Sequence, residues 1–87
     1  MTALERIEEE RIKKTGKLDL RKCKLTELPN ELFELTHLQS LNLSANQISD
    51  IRFLEKLTSL QFLYINRNQI SDYSFLEKWR YLRKRRE

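Results

Sequence analysis

The chain carries the same fifteen-residue pattern twice, 22 residues apart, and this repetition limits its fold more than any other feature. Thr36-His-Leu-Gln-Ser-Leu-Asn-Leu-Ser-Ala-Asn-Gln-Ile-Ser-Asp50 lies over Thr58-Ser-Leu-Gln-Phe-Leu-Tyr-Ile-Asn-Arg-Asn-Gln-Ile-Ser-Asp72. The match continues as Phe53-Leu54-Glu55-Lys56 over Phe75-Leu76-Glu77-Lys78. A weaker copy comes first: Leu18, Leu20, Cys23, Leu25 and Leu28 fall under Leu41, Leu43, Asn46, Ile48 and Ile51. Its offset is 23, with the additional residue around Pro29. A period in this range marks architectures in which each unit buries its apolar edge only against the next.

The spacing inside a copy has a direct physical meaning. Leu41 and Leu43 are two apart and share one face of a short strand, as do Leu63 and Ile65. Three residues later comes the column of Cys23, Asn46 and Asn68, where the chain turns away from the sheet. A buried turn strands backbone groups, and an asparagine amide offers both donors and an acceptor to satisfy them. Cys23 reads as a small buried polarisable residue there; a reactive thiol, favoured by Lys22 and Lys24, is the lesser alternative. Ile48, Ile51, Leu54 and Leu57 then recur at steps of three, as do Ile70, Tyr73, Leu76 and Trp79. That rhythm suits a short 3₁₀ or α turn on the opposite side of the coil.

The pattern is therefore L-x-x-L-x-L-x-x-N-x-I, with Cys23 in place of the asparagine in the weaker first copy, and the chain resembles bacterial-type leucine-rich repeat proteins over about residues 15–82. Leu25–Leu32 looks like the LTxLPxxL subtype. The two Asn-Gln-Ile-Ser-Asp segments look like the 22-residue subtype of internalins and phosphatase-regulator repeat proteins. The start, a charged helix before Lys14–Leu20, also resembles repeat arrays of bacterial multidomain proteins, some of which carry a GTPase domain. This chain has no phosphate-binding loop, and no GTPase role is carried over. The resemblance implies an α/β fold: a solenoid of three repeats, 15–35, 36–57 and 58–79, in a single domain spanning 1–87. It also implies a module that binds other proteins.

An open solenoid exposes apolar surface at both ends. Residues 1–14 are expected to form a capping helix with Leu4 and Ile7 on its buried face, closed by Gly16, the only glycine. At the other end, Asp72 is placed to N-cap a helix presenting Phe75, Leu76, Trp79 and Leu82, with 80–87 as its basic end. Trp79 is expected in the core. Arg85 stands where a fourth strand would need an apolar residue, so the array is expected to stop.

Catalysis finds little material. His37 is the only histidine and is read as a solvated loop residue; one cysteine offers no zinc pair, so neither metal nor cofactor is expected. Asn42-Leu43-Ser44 matches a glycosylation sequon, but its middle residue is a core leucine. The lone cysteine, the absence of a signal-like start and the absence of any long apolar run favour a cytoplasmic chain with no membrane span.

Two surfaces remain. The tail concentrates cations, with Lys78, Arg80, Arg83, Lys84, Arg85 and Arg86 in the last ten residues, and accounts for the whole net charge of +4. Such a cluster complements a helix C-terminus and solubilises a cap; binding of nucleic acid or an acidic surface through Arg80, Arg83, Lys84, Arg85 and Arg86 is the alternative. The second surface is the inner face of the sheet, where residues between the core leucines point to solvent. They are Lys17, Asp19 and Arg21, then Ser40, Asn42 and Ser44, then Phe62, Tyr64 and Asn66, with Arg67 beside them. Two aromatic rings on one strand make this the expected seat of a protein or peptide partner, or of a second copy of the chain. A structural fragment of a longer array is the remaining reading.

Overall fold

A computed structural model describes residues 1–72. Helix α1 (Ala3–Lys13) leads into three short strands, β1 (Lys17–Asp19), β2 (Ser40–Asn42) and β3 (Phe62–Tyr64). Between them the chain returns through two 3₁₀ turns, Asn30–Glu34 and Arg52–Lys56. The strands form one parallel sheet in sequence order. Its register places Leu18 beside Leu41 and Leu41 beside Leu63. Those are the columns that the offsets of 23 and 22 define.

Each strand buries its middle leucine and leaves its flanking residues outward. The return path explains the steps of three. Leu54 N–H donates to the Ile51 carbonyl (3.0 Å), Leu57 to Leu54 (2.9 Å) and Leu60 to Leu57 (3.1 Å). The first copy repeats this, with Leu32 donating to Pro29, Leu35 to Leu32 and Leu38 to Leu35, each at 3.1 Å. At three residues per turn, every third side chain stacks on one line. Leu32, Leu35, Leu38, Ile51, Leu54, Leu57 and Leu60 are accordingly buried against the strand leucines. The 3₁₀ turns coincide at an offset of 22 while the strands coincide at 23, so the additional residue falls before Asn30.

The front end differs from the sequence reading in three respects. Leu4 is 53% exposed, and α1 instead turns Ala3, Ile7 and Glu10 inward. The reason is Glu10, whose buried carboxylate accepts hydrogen bonds from Thr15 Oγ1 (2.6 Å), Gly16 N–H (2.7 Å) and His37 Nε2 (2.8 Å). His37 is thus a half-buried partner of the helix and not a solvated loop residue. Finally, the left-handed residue that ends α1 is Lys14 (φ 51°), whose N–H bonds the Glu10 carbonyl. Gly16 (φ 86°) lies beyond it, where the chain bends into β1.

The N-terminus of α1 carries a reciprocal cap: Thr2 Oγ1 accepts from Glu5 N–H and the Glu5 carboxylate accepts from Thr2 N–H. The outer edge of β1 is closed by side chains. Thr15 Oγ1 bonds both the N–H and the carbonyl of Lys17, and Arg6 donates to the Asp19 carbonyl (2.9 Å). A parallel strand edge blocked in this way does not template further pairing. The expected second helix, with Phe75, Leu76, Trp79, Leu82 and the tail cations, lies outside the described residues.

Candidate partner-binding face

The turn asparagines hold the sheet that presents this face. Asn46 Oδ1 accepts from Cys23 and Leu25 N–H, both at 3.0 Å, while Nδ2 donates to the carbonyls of Leu20, Leu43 and Ser44. Asn68 repeats the pattern one copy later, accepting from Ile48 N–H and donating to Leu43, Ile65 and Asn66. Each amide therefore fastens its own turn to the preceding one. Cys23 has no preceding turn to hold, which is why a thiol suffices. Its Sγ lies 3.5 Å from the Arg21 carbonyl, and the side chain is half-buried, less enclosed than the spacing predicts.

Across the open face the register forms two rows, Lys17–Ser40–Phe62 and Asp19–Asn42–Tyr64. Phe62 and Tyr64 stand on the same face of β3, half-buried instead of fully exposed. Asp19 and Asn42 are partly spent on local structure. Asp19 Oδ1 accepts from Arg21 N–H and Asn42 Oδ1 from Ser44 N–H, each at 3.0 Å. Arg21 also grips Asp19 with its guanidinium (Nη2 to Oδ2 2.8 Å). That side-chain bond holds the Asp19 carboxyl below its ordinary range, against a smaller upward push from burial.

Ser44 departs from the expected solvent-facing position. It is 9% exposed, and its hydroxyl donates to Asn66 Oδ1, binding the second turn to the third. Asn66 and Arg67 are exposed, Arg67 in a left-handed turn conformation (φ 59°) equivalent to Ala45 (φ 59°) and Lys22 (φ 55°). The structure therefore assembles Ser40, Asn42, Phe62 and Tyr64 as one surface, with Lys17 and Arg67 at opposite sides. Arg21 and Asp19 neutralise each other.

A second feature escaped the sequence reading. On the opposite side, the Phe33 and Phe53 rings meet at 5.9 Å and 56°, and Lys56 Nζ sits 5.8 and 5.3 Å from their centroids. They border a groove of about 790 Å³ that also touches Leu4, Leu28 and Pro29. The two phenylalanines occupy unlike positions in their copies, so the 22-residue alignment gives no hint of the pair. Among the described residues no three His, Cys, Asp or Glu side chains converge to hold a metal ion, and no helix is long and apolar enough to cross a membrane.

The sequence matches the family described as leucine-rich repeats (2 copies) twice, over residues 17–56 and 36–78, which together cover most of the chain. The chain belongs to the leucine-rich repeat family. No curated protein and no solved structure matches it. Leucine-rich repeat domains generally mediate protein–protein interaction and are typically non-enzymatic, so a protein partner is the general expectation for this chain. In leucine-rich repeat terms, Leu18/Leu20, Leu41/Leu43 and Leu63/Ile65 are the paired strand positions. Asn46 and Asn68 are the turn asparagines.

Proposed function

We propose that this leucine-rich repeat chain is a non-catalytic interaction module of three capped repeats. Its partner, a protein or peptide, seats on the concave sheet face around Phe62, Tyr64 and Arg67. The observation that carries this is the in-register placement of two half-buried rings beside Ser40 and Asn42 on a rigid parallel sheet. Aromatic groups fixed in this way give contact area with little ordering cost, and such residues dominate interface energies. The free Cys23 thiol suits a reducing compartment, in keeping with a cytoplasmic setting.

The test is a Phe62→Ala, Tyr64→Ala double variant. It is expected to keep the circular dichroism spectrum of the parent, because neither ring belongs to the buried core. It is expected to lose the partner recovered by pull-down, each truncation weakening binding by ~2 kcal/mol or more. Light scattering beside the parent reads the same loss where the partner is a second copy. A folded variant that retains every partner and its oligomeric state defeats this function.

A further inference from the structure

The described residues are electrically neutral as a set, eleven cations against eleven anions, but the charges are sorted by position. The strand-and-turn segments 17–24, 40–46 and 62–68 carry Lys17, Arg21, Lys22, Lys24 and Arg67 against the single acid Asp19. The returning segments 25–39 and 47–61 carry Glu27, Glu31, Glu34, Asp50 and Glu55 against Arg52 and Lys56. The one acid on the sheet side is already consumed by Arg21. Among the described residues, Lys17 and Arg67 take part in no ion pair, and both are exposed. The aromatic surface therefore lies between two cations that no described residue engages in an ion pair.

We propose that the partner segment is an extended acidic peptide with an apolar anchor over Phe62 and Tyr64 and a carboxylate three residues away over Lys17. This inference rests on the function proposed above and adds the chemistry of the partner. The spacing follows from the sheet. Lys17 and Phe62 lie in one row, two strands apart, a distance of ~10 Å at the usual interstrand separation. An extended peptide crossing the strands covers that distance in about three residues. Ser40 stands midway in the row to bond the peptide backbone, and Arg67 meets a second acid beyond the anchor. Opposite charge at the rim mainly speeds encounter and rejects basic competitors, while the rings supply affinity. Nucleic acid shares the negative charge but would need successive bases to stack along the groove, and the rings are confined to one strand.

The experiment is selection of a displayed nine-residue random peptide library on the full chain, repeated on a Lys17→Glu, Arg67→Glu variant, on a Phe62→Ala, Tyr64→Ala variant and on an Arg83→Ala, Lys84→Ala, Arg85→Ala, Arg86→Ala variant, with a twelve-residue oligothymidylate titrated against the same proteins. The parent is expected to select an aromatic or aliphatic residue with Asp or Glu three positions away. The Lys17→Glu, Arg67→Glu variant is expected to bind those peptides at least tenfold more weakly and to prefer Lys or Arg there. The tail variant is expected to select as the parent does. Apolar peptides that need Phe62 and Tyr64 but show no acidic preference overturn the partner chemistry and leave the binding face standing. Acidic peptides lost only in the tail variant overturn it in favour of the tail. Peptides indifferent to Phe62 and Tyr64, or no binders at all, overturn the face itself. A twelve-residue oligothymidylate that binds the face more tightly than any selected peptide overturns it in favour of nucleic acid.

Discussion

Asn46→Ala is expected to destabilise the chain by about 3–5 kcal/mol, because it strands buried backbone groups on both sides of the turn. The amide accepts from Cys23 and Leu25 N–H and donates to the Leu20, Leu43 and Ser44 carbonyls, and the side chain is buried. Deleting it removes the side-chain partner of the Cys23 and Leu25 N–H groups and of the Leu20 carbonyl, while the Leu43 carbonyl keeps Asn68 Nδ2 and the Ser44 carbonyl keeps Lys22 N–H. Each uncompensated group costs on the order of 1–3 kcal/mol, and domains of this size hold about 5–10 kcal/mol in total. Asn68→Ala should cost less, since Asn68 is only half-buried. Asn46→Asp should be no better than alanine, because a carboxylate would face three carbonyl oxygens. Cys23→Ala is expected to cost under about 1 kcal/mol, because its thiol supports no neighbouring turn. Urea melts of the four variants check the order. An Asn46→Ala midpoint equal to that of Cys23→Ala would show that the ladder is decoration.

The repeat made the interior legible. Residues that recur at 22 or 23 meet in space, so the strand register, the buried leucines and the turn asparagines could be placed without coordinates. What could not be read belongs to parts of the chain that do not recur. Glu10 sits in the run Glu8–Glu10 and looks like its exposed neighbours. Its burial depends on Gly16 and His37 arriving from elsewhere. Leu4 looked like a core residue because only spacing to Ile7 was available, whereas the helix is rotated to deliver Glu10. Ser44 was misread for a related reason. Alternation predicts the side on which a residue leaves the strand, but the chain is already turning at Ser44, and the hydroxyl bends across to Asn66. The rows Lys17–Ser40–Phe62 and Asp19–Asn42–Tyr64 were legible as a face. The pairing of Asp19 with Arg21, which leaves Lys17 as the unmatched charge, was not.

Acidification is expected to loosen α1 before the rest of the fold, and Glu10→Gln is expected to remove that early step. Burial alone would raise the Glu10 carboxyl, but the hydrogen bonds from Thr15, His37 and Gly16 outweigh it and hold the group below its ordinary value of 4.5. A carboxyl whose folded value is depressed contributes its full stability above the unfolded value and loses it as pH falls through the folded one. The window therefore opens near pH 4.5 and extends downward. Glu5, Glu8, Asp19 and Asp50 are also lowered, Asp50 to about 2 by Arg52, but all are shared by parent and variant, so subtracting the two curves isolates Glu10. The charged groups around the cluster are Arg6, Glu9, Lys13, Lys17 and Asp19 on the same shallow surface, with His37 bonded directly. At neutral pH, Glu10→Gln should cost about 1–2 kcal/mol, since hydrogen bonds to a charged carboxylate become weaker bonds to a neutral amide. Hydrogen exchange between pH 6 and 3 should show protection falling in Ala3–Lys13 while β2 amides remain closed, because Glu10 is the group that ties α1 to both the β1 entry and the loop at His37. Parallel stability curves for parent and variant below pH 4.5 would mean that the apolar contacts of Ala3 and Ile7 and the Arg6 bond to the Asp19 carbonyl hold the helix without Glu10.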